Sequence, residues 1–418
     1  MQIRKGFRYR IYPSPEQIER LGQWENALRF LWNLALDQRL LCLNRTRYNR
    51  VFLTAFDQIN ELTELRKEVA WLADVPRNVC AQLLVELDRS WQRCFKRIAK
   101  QPRWKKKGRD SIGICEPHPK VWQLDGRTLR FPKLGAIPVV LHRPLEGKPK
   151  TCTIRRDGDQ WFVSISCEVD VADPVPSNKP AIGLDRGVVN LIAGSDGRLV
   201  PNPRHLSGTQ RRLQRAQRVV ARRRRGSKNQ TKAKGRVARL HRKVRRQREH
   251  ILHVESHRIA KSHGRVVVEK LDVRNMSRSA KGTLEVPGKR VKQKAGLNRA
   301  ILDSGWGAFV VMLRYKLAWA GGVLVEVPAA YSSQTCFLCG AVDPRSRVSQ
   351  SEFRCTACGH EAHADINAAK VLLSRGNLGG AVCGGSAEVG RPVKQELRVV
   401  RRGQRSKHGS ELLQSSGL

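Results

Sequence analysis

Four cysteines in the last quarter of the chain restrict what it can fold into more than any other feature. Cys336-Phe337-Leu338-Cys339 and Cys355-Thr356-Ala357-Cys358 are separated by 15 residues, and Gly340 and Gly359 follow the second cysteine of each pair. Two thiolates at this spacing meet one ion from a single tight turn, and the glycine lets backbone N–H groups turn toward sulfur. Two such knuckles close a tetrahedral site with metal–sulfur distances of about 2.3 Å, so the pattern predicts a zinc ribbon rather than four free thiols. Four protein ligands make that Zn²⁺ structural and leave the nearby His360 and His363 outside its sphere. The other seven cysteines are scattered singly between Cys42 and Cys383, which suits a reducing compartment and not a disulfide framework.

Charge is the second restriction. The 418 residues carry 80 Lys and Arg against 36 Asp and Glu, a formal net charge of +44, while 40% are hydrophobic. That apolar content is enough for buried cores in several domains and excludes a purely disordered basic chain. No apolar run approaches the roughly 20 residues that span a bilayer, and Met1-Gln2-Ile3-Arg4 leads into a strand-like segment and not a signal peptide. A soluble, cytoplasmic protein is expected, with no membrane partner. Self-repulsion at this charge calls for a polyanion, and nucleic acid is the default one.

The basic residues are concentrated. Arg204 to Arg248 holds 19 Lys or Arg and no acid in 45 positions. Thin apolar stripes at Leu206, Leu213 and Val220, then Val237, Leu240 and Val244, predict two long helices broken near Gly226-Ser227-Lys228-Asn229. Charge runs are often solvated faces, but one without any acid reads as a phosphate-binding arm. Its candidate contacts are Arg211, Arg212, Arg215, Arg222, Arg223, Arg224 and Arg225. Trp104, set among Lys100, Arg103, Lys105, Lys106 and Lys107, is a further candidate, with a solvated linker as the alternative.

Around these features the chain changes period several times. Residues 1–15 alternate around Ile3, Phe7, Tyr9 and Ile11 as an edge or barrel strand does, and 16–110 carry helical spacing for three or four helices. Residues 111–172 return to short alternating runs, which predict a small β-barrel; if the first strand joins it, the helices are an insertion. A linker at 173–180 is followed by a new domain of short buried strands and helices, with one helix from Ala300 to Ala320 and the cysteine pairs after the strand Val323 to Val327. The basic, Gly-rich stretch 376–418 is expected to be disordered.

Three acids stand out in that α/β domain. Asp185 ends a buried strand, Glu269 ends another, and Asp365 begins a helix. Singly, each could be a cap or a surface residue. Together they suggest convergence on one point, where hard carboxylate oxygens would hold Mg²⁺, with two ions for phosphodiester hydrolysis.

These residues also carry a family resemblance. Gly183-Leu184-Asp185-Arg186-Gly187, Val268-Glu269-Lys270-Leu271, Ser333-Gln334-Thr335-Cys336, Cys339-Gly340, Cys358-Gly359 and Ala364-Asp365-Ile366-Asn367-Ala368-Ala369 together resemble TnpB, the OrfB-type protein of bacterial insertion sequences related to type V CRISPR effectors. Tyr12-Pro13 with Gln17, Arg29 to Asn33, Leu297-Asn298-Arg299 through Trp306, and Tyr315-Lys316 extend the likeness over about residues 1 to 375. Ala364, where many members carry Arg, and Lys270 depart from it. The resemblance implies a RuvC, RNase H-like α/β nuclease domain over 181–330 and 360–375, interrupted by a zinc ribbon at 331–359, and preceded by a wedge-type β-barrel carrying a helical recognition insertion. It implies catalytic Asp185, Glu269 and Asp365, and a guide RNA derived from the transposon end. It further implies double-stranded target DNA cut beside a transposon-adjacent motif, with Mg²⁺, in a bacterial cytoplasm at the nucleoid. A strand-transferring transposase and a catalytically silent guided binding protein are the rival readings.

Overall fold

Alternation in the first ten residues builds the centre of the N-terminal half. The computed structural model describes residues 1–45, 52–283 and 285–378. In β1 (Gln2–Ile11), Phe7, Tyr9 and Ile11 point into the core. Four helices follow, α1 (Pro15–Arg45), α2 (Ala55–Glu68), α3 (Ala70–Ala73) and α4 (Arg77–Phe95). Then come β2 (Ile114–Glu116), β3 (Gln123–Asp125), β4 (Thr128–Phe131), β5 (Gly135–Val140), β6 (Lys148–Asp157) and β7 (Gln160–Asp170). All seven strands form one antiparallel sheet in the order β2-β6-β7-β1-β5-β4-β3.

Of the two places expected for β1, the structure gives the interior one: it pairs with β7 along its whole length and with β5 at Arg10 and Ile11. The expected barrel is corrected, because β2 and β3 do not pair with each other and the sheet remains a curled half-barrel. α4 packs against β2, where Asn78 donates to Glu116 at 3.2 Å. Because β1 precedes the helices and β2 follows them, α1 to α4 are inserted between strands of one sheet. Reciprocal bonds between Ser14 and Gln17 cap the start of α1, and the Gln17 amide also donates to the Leu134 and Ala136 carbonyls. Trp24, Leu28 and Leu84 then share one core with Tyr9, Ile11 and Val163.

The second half is built on β8 (Ala181–Asp185), β9 (Asn190–Gly194) and β10 (Leu199–Pro201), followed by α5 (His205–Arg222), α6 (Lys228–Ser262) and β11 (Arg265–Lys270). α7 (Val273–Met276), α8 (Val291–Ser304), α9 (Trp306–Trp319) and β12 (Val323–Pro328) come next. The chain then passes through β13 (Glu352–Arg354) and β14 (Glu361–His363) into α10 (Ala364–Leu378). Five strands form a mixed sheet in the order β10-β9-β8-β11-β12, antiparallel from β10 to β8 and parallel from β8 to β12. α6 and α9 cover one face, where Leu252, Ile259, Phe309 and Leu313 pack on Ile182, Leu184, Val266 and Val268. α10 covers the other, on Val267.

The single helix expected from Ala300 to Ala320 is two helices, because Gly305 takes a left-handed φ of 68° between α8 and α9. Residues 376–378, assigned to the tail from composition, close α10, and the rest of that tail lies outside the described residues. No helix among the described residues is long and apolar enough to cross a membrane.

The contact between α10 and β8 requires a residue without a side chain. A Cβ on Gly183 would lie 2.0 Å from the Ala369 carbonyl oxygen. Gly183→Ala should therefore force the helix off the sheet and destabilise the protein by about 1 to 3 kcal/mol in denaturant unfolding. Gly22→Ala, in α1 with nothing within 4 Å of the new methyl, should be neutral or stabilising by up to about 1 kcal/mol. Equal losses at the two positions would refute the close approach.

Candidate functional site

The two knuckles bring Cys336, Cys339, Cys355 and Cys358 to one point, with all four sulfurs within 4.8 Å of one another. Cys336 and Cys358 are 3.8 Å apart and Cys339 and Cys355 3.5 Å. A tetrahedron with metal–sulfur bonds of about 2.3 Å separates its sulfurs by roughly 3.8 Å, so the set fits zinc. The Cys358 N–H points at the Cys355 sulfur from 3.5 Å, and hydrogen bonds of this kind lower the Cys355 thiol to about 6. β13 and β14 pair beside the knuckles, with Glu352 opposite His363.

Parallel pairing places two of the three acids side by side. Leu184 is opposite Val268, so Asp185 and Glu269 follow at the same end of neighbouring strands β8 and β11. Asp365, in the first turn of α10, comes close enough for its charge to act on Asp185. Burial, a hydrogen bond shared with Glu269 and repulsion from Glu269 and Asp365 push the Asp185 carboxyl well above its ordinary range. The three carboxylates supply hard oxygens of the kind that bind Mg²⁺, although among the described residues only the four cysteines bring their ligand atoms within 4.8 Å of one another. Around them, Asn190 donates to Asp365 at 2.9 Å and Arg347 reaches its other oxygen at 3.5 Å. Arg186, only 6% exposed, donates to the Glu269 carbonyl, and its Nε has no partner among the described residues.

The basic arm divides into two electrostatic parts. Arg211, Arg212, Arg215 and Arg222 on α5, with Arg223, Arg224 and Arg225 just after it, are exposed and form no ion pair with a described residue. Further along α6 the lack of acids within the run is made good from elsewhere. Arg242 pairs with Asp159, Arg245 with Asp157, and Arg248 with Asp303 at 3.2 Å. Arg242 also donates to the Asp157 carbonyl at 2.7 Å, which ties α6 to the turn between β6 and β7. Trp104 is 45% exposed, while the backbone on either side of it is held by α1. Trp32 donates to the Arg103 carbonyl at 3.1 Å, and the Asn33 amide bonds both the N–H and the carbonyl of Lys105.

Comparison with known proteins agrees in order along the chain. Residues 164–280 match the OrfB_IS605 family model, described as "Probable transposase", and residues 306–372 match the model described as "Cas12f1-like, TNB domain". Residues 1–41 match a model described as "Helix-turn-helix domain", although here they form β1 and most of α1. An Escherichia coli K12 protein, provisionally named RNA-guided DNA endonuclease InsQ, is 35% identical over 400 residues, 95% of this chain and 98% of that one. The chain belongs to the TnpB family. A Streptomyces pristinaespiralis member, also provisionally named RNA-guided DNA endonuclease, is 32% identical over 96% of this chain and 95% of its own. A solved complex of Cas12f1 with guide RNA and target DNA covers 89% of this chain and 99% of that one at 16% identity, with a TM-score of 0.32, too loose to bear on the fold.

Four residues around the acids and cysteines lie beyond those that sequence reasoning singled out. Arg186 and Asn367 stand inside the quoted motifs, where their position beside Asp185 and Asp365 was a usable signal. Asn190 and Arg347 stand in no motif, and only the folded chain brings them to Asp365.

The raised Asp185 carboxyl has a signed consequence. An acid whose folded pKa exceeds its unfolded value, about 3.9, binds more protons when folded, so stability falls as pH rises above that value toward the raised one. Without added magnesium, unfolding stability should therefore decline through the mildly acidic range, and Asp185→Asn should flatten that decline. An unchanged pH profile in the variant would remove Asp185 as its source.

Proposed function

We propose that this protein is an RNA-guided DNA endonuclease of a bacterial transposable element, with its cutting site at Asp185, Glu269 and Asp365. The observation that carries this reading is the meeting of three carboxylates at one end of a five-stranded mixed sheet, from segments far apart in the chain. A sheet of this order, with the ribbon placed between the second and third acids, supports a RuvC-like assignment of the second half. Magnesium bound to the three carboxylates would supply an activated water and neutralise charge on the leaving oxygen. The chain's own part is to hold the carboxylates together, with Asn190 and Arg347 restraining both oxygens of Asp365.

The exposed cations at the α5–α6 end would grip phosphates, while base pairing with a guide RNA from the transposon end would read the sequence of duplex DNA beside a short adjacent motif. Each of Asp185→Ala, Glu269→Ala and Asp365→Ala should abolish cutting by the protein–RNA complex and leave guided DNA binding nearly unchanged. Cleavage above a few per cent of the parent in any of them would move the site elsewhere.

The division of the arm sharpens a second expectation. Replacing Arg222, Arg223, Arg224 and Arg225 by Ala should weaken RNA or DNA binding regardless of sequence. It should also flatten the dependence of log K on log[salt] by about 0.7 to 0.9 for each phosphate that the arm no longer neutralises. Arg242→Ala should instead lower thermal stability, because it removes the bonds to Asp157 and Asp159. A four-Ala variant indistinguishable from the parent at every salt concentration would make the exposed end a solvated surface.

A further inference from the structure

Asn367 is fully buried, two residues beyond Asp365 on α10, and both ends of its amide are committed to the ribbon. Its Oδ1 accepts from the Phe337 N–H at 3.0 Å, and its Nδ2 donates to the Thr335 carbonyl at 2.8 Å. Those are the residues on either side of Cys336. The pair of bonds needs one acceptor and one donor on a short side chain, which an amide supplies and a carboxylate does not. Arg375, about two turns further along the helix, donates to the Ala330 carbonyl at 2.7 Å and to the Thr335 hydroxyl at 3.3 Å.

The second knuckle reaches α10 by another route. β14 runs directly into the helix, and the Ala364 N–H donates to the Ser351 carbonyl at 2.9 Å beside β13. One knuckle is therefore fixed to α10 by Asn367 and the other by the chain itself. At the far side the ligand set of Cys336, Cys339, Cys355 and Cys358 joins knuckle to knuckle, beside weaker bonds from Thr356 to Asp343 at 2.8 Å and to Ser346 at 3.2 Å. Asp365 lies inside this ring of connections, and Arg347, from the loop between the knuckles, touches it.

We infer that Asn367 is a positioning residue that makes zinc occupancy of the ribbon set the placement of Asp365, so that the ribbon tunes the affinity of the carboxylate site for a divalent ion. The inference rests on the reading of Asp185, Glu269 and Asp365 as metal ligands. With the ring closed, α10 is held at its first turns and the third carboxylate stays beside the other two. With zinc gone, the knuckles are left with the Thr356 hydrogen bonds to the loop between them, and Asn367 grips a segment whose position is less firmly fixed. Two sites joined through one element in this way are coupled typically about 5- to 150-fold.

The test uses the full-length protein without nucleic acid and Mn²⁺ as the probe, read by electron paramagnetic resonance, with zinc content measured separately. Stripping zinc from the wild type should weaken Mn²⁺ binding about tenfold, and restoring zinc should recover it. Asn367→Ala should keep most of its zinc yet bind Mn²⁺ as weakly as the stripped wild type, and stripping the variant should change little more. Asn367→Asp, which keeps the acceptor but turns a carboxylate oxygen against the Thr335 carbonyl, should resemble Asn367→Ala. Wild-type Mn²⁺ affinity that ignores zinc would overturn the coupling, as would losses from zinc removal and Asn367→Ala that simply multiply. If either variant fails to fold, the strip-and-restore measurement on the wild type decides the matter alone. Mn²⁺ binding that survives Asp365→Ala undiminished would overturn the assignment of the acids, and the inference with it.

Discussion

The approach of α10 to β8 is the contact through which the rest of the second half is organised. The helix lies against the strand at a distance only glycine permits, with Ala368 and Ala369 buried in the same contact. This packing brings Asp365 toward Asp185 and Glu269 although the three charges repel. Apolar burial over the face of the sheet supplies a favourable free energy of a size that local repulsion does not cancel. The remaining electrostatic tension is visible in the raised Asp185 carboxyl and in the Arg186 guanidinium buried beneath Glu269. The carboxylates are thus assembled by packing and not by mutual attraction.

The same separation of duties marks the basic arm. In the middle of α6, arginines face aspartates from the turn of the other sheet and from the end of α8, so they act as internal fasteners. Toward Gly226 the arginines are exposed and pair with no acid among the described residues. One run of charge in the sequence thus serves cohesion at one end and stands unneutralised by described residues at the other.

Much of this is legible in the sequence because several motif residues have local reasons to be where they are. Gln17 caps its own helix three residues from Ser14, and the cysteine pairs form their turns within four residues. The four sulfurs then meet at the separation expected from their spacing. What sequence patterns do not reveal depends on partners far away in the chain. Nothing near Arg242 announces Asp159, and nothing near Asn190 announces Asp365. Alternation reports which face of a strand is buried and not whether the outermost strands meet, so a closed barrel and a half-barrel look alike in sequence. The break at Gly305 is hidden by apolar residues that continue with helical spacing on both sides of it.

The central place of β1 bears on how the molecule comes to be made. Gln2 pairs with Asp170 and Ile11 with Trp161, so the strand must wait for most of the N-terminal half to be synthesised. At about 5 to 20 residues per second, that wait is roughly 8 to 30 s on the ribosome. During it, Phe7, Tyr9 and Ile11 have no sheet to enter, and the helices inserted after them have only part of their core. An early-made segment is thus among the last to be secured, and a nascent chain stalled before β7 would present an unpaired, apolar strand to its surroundings.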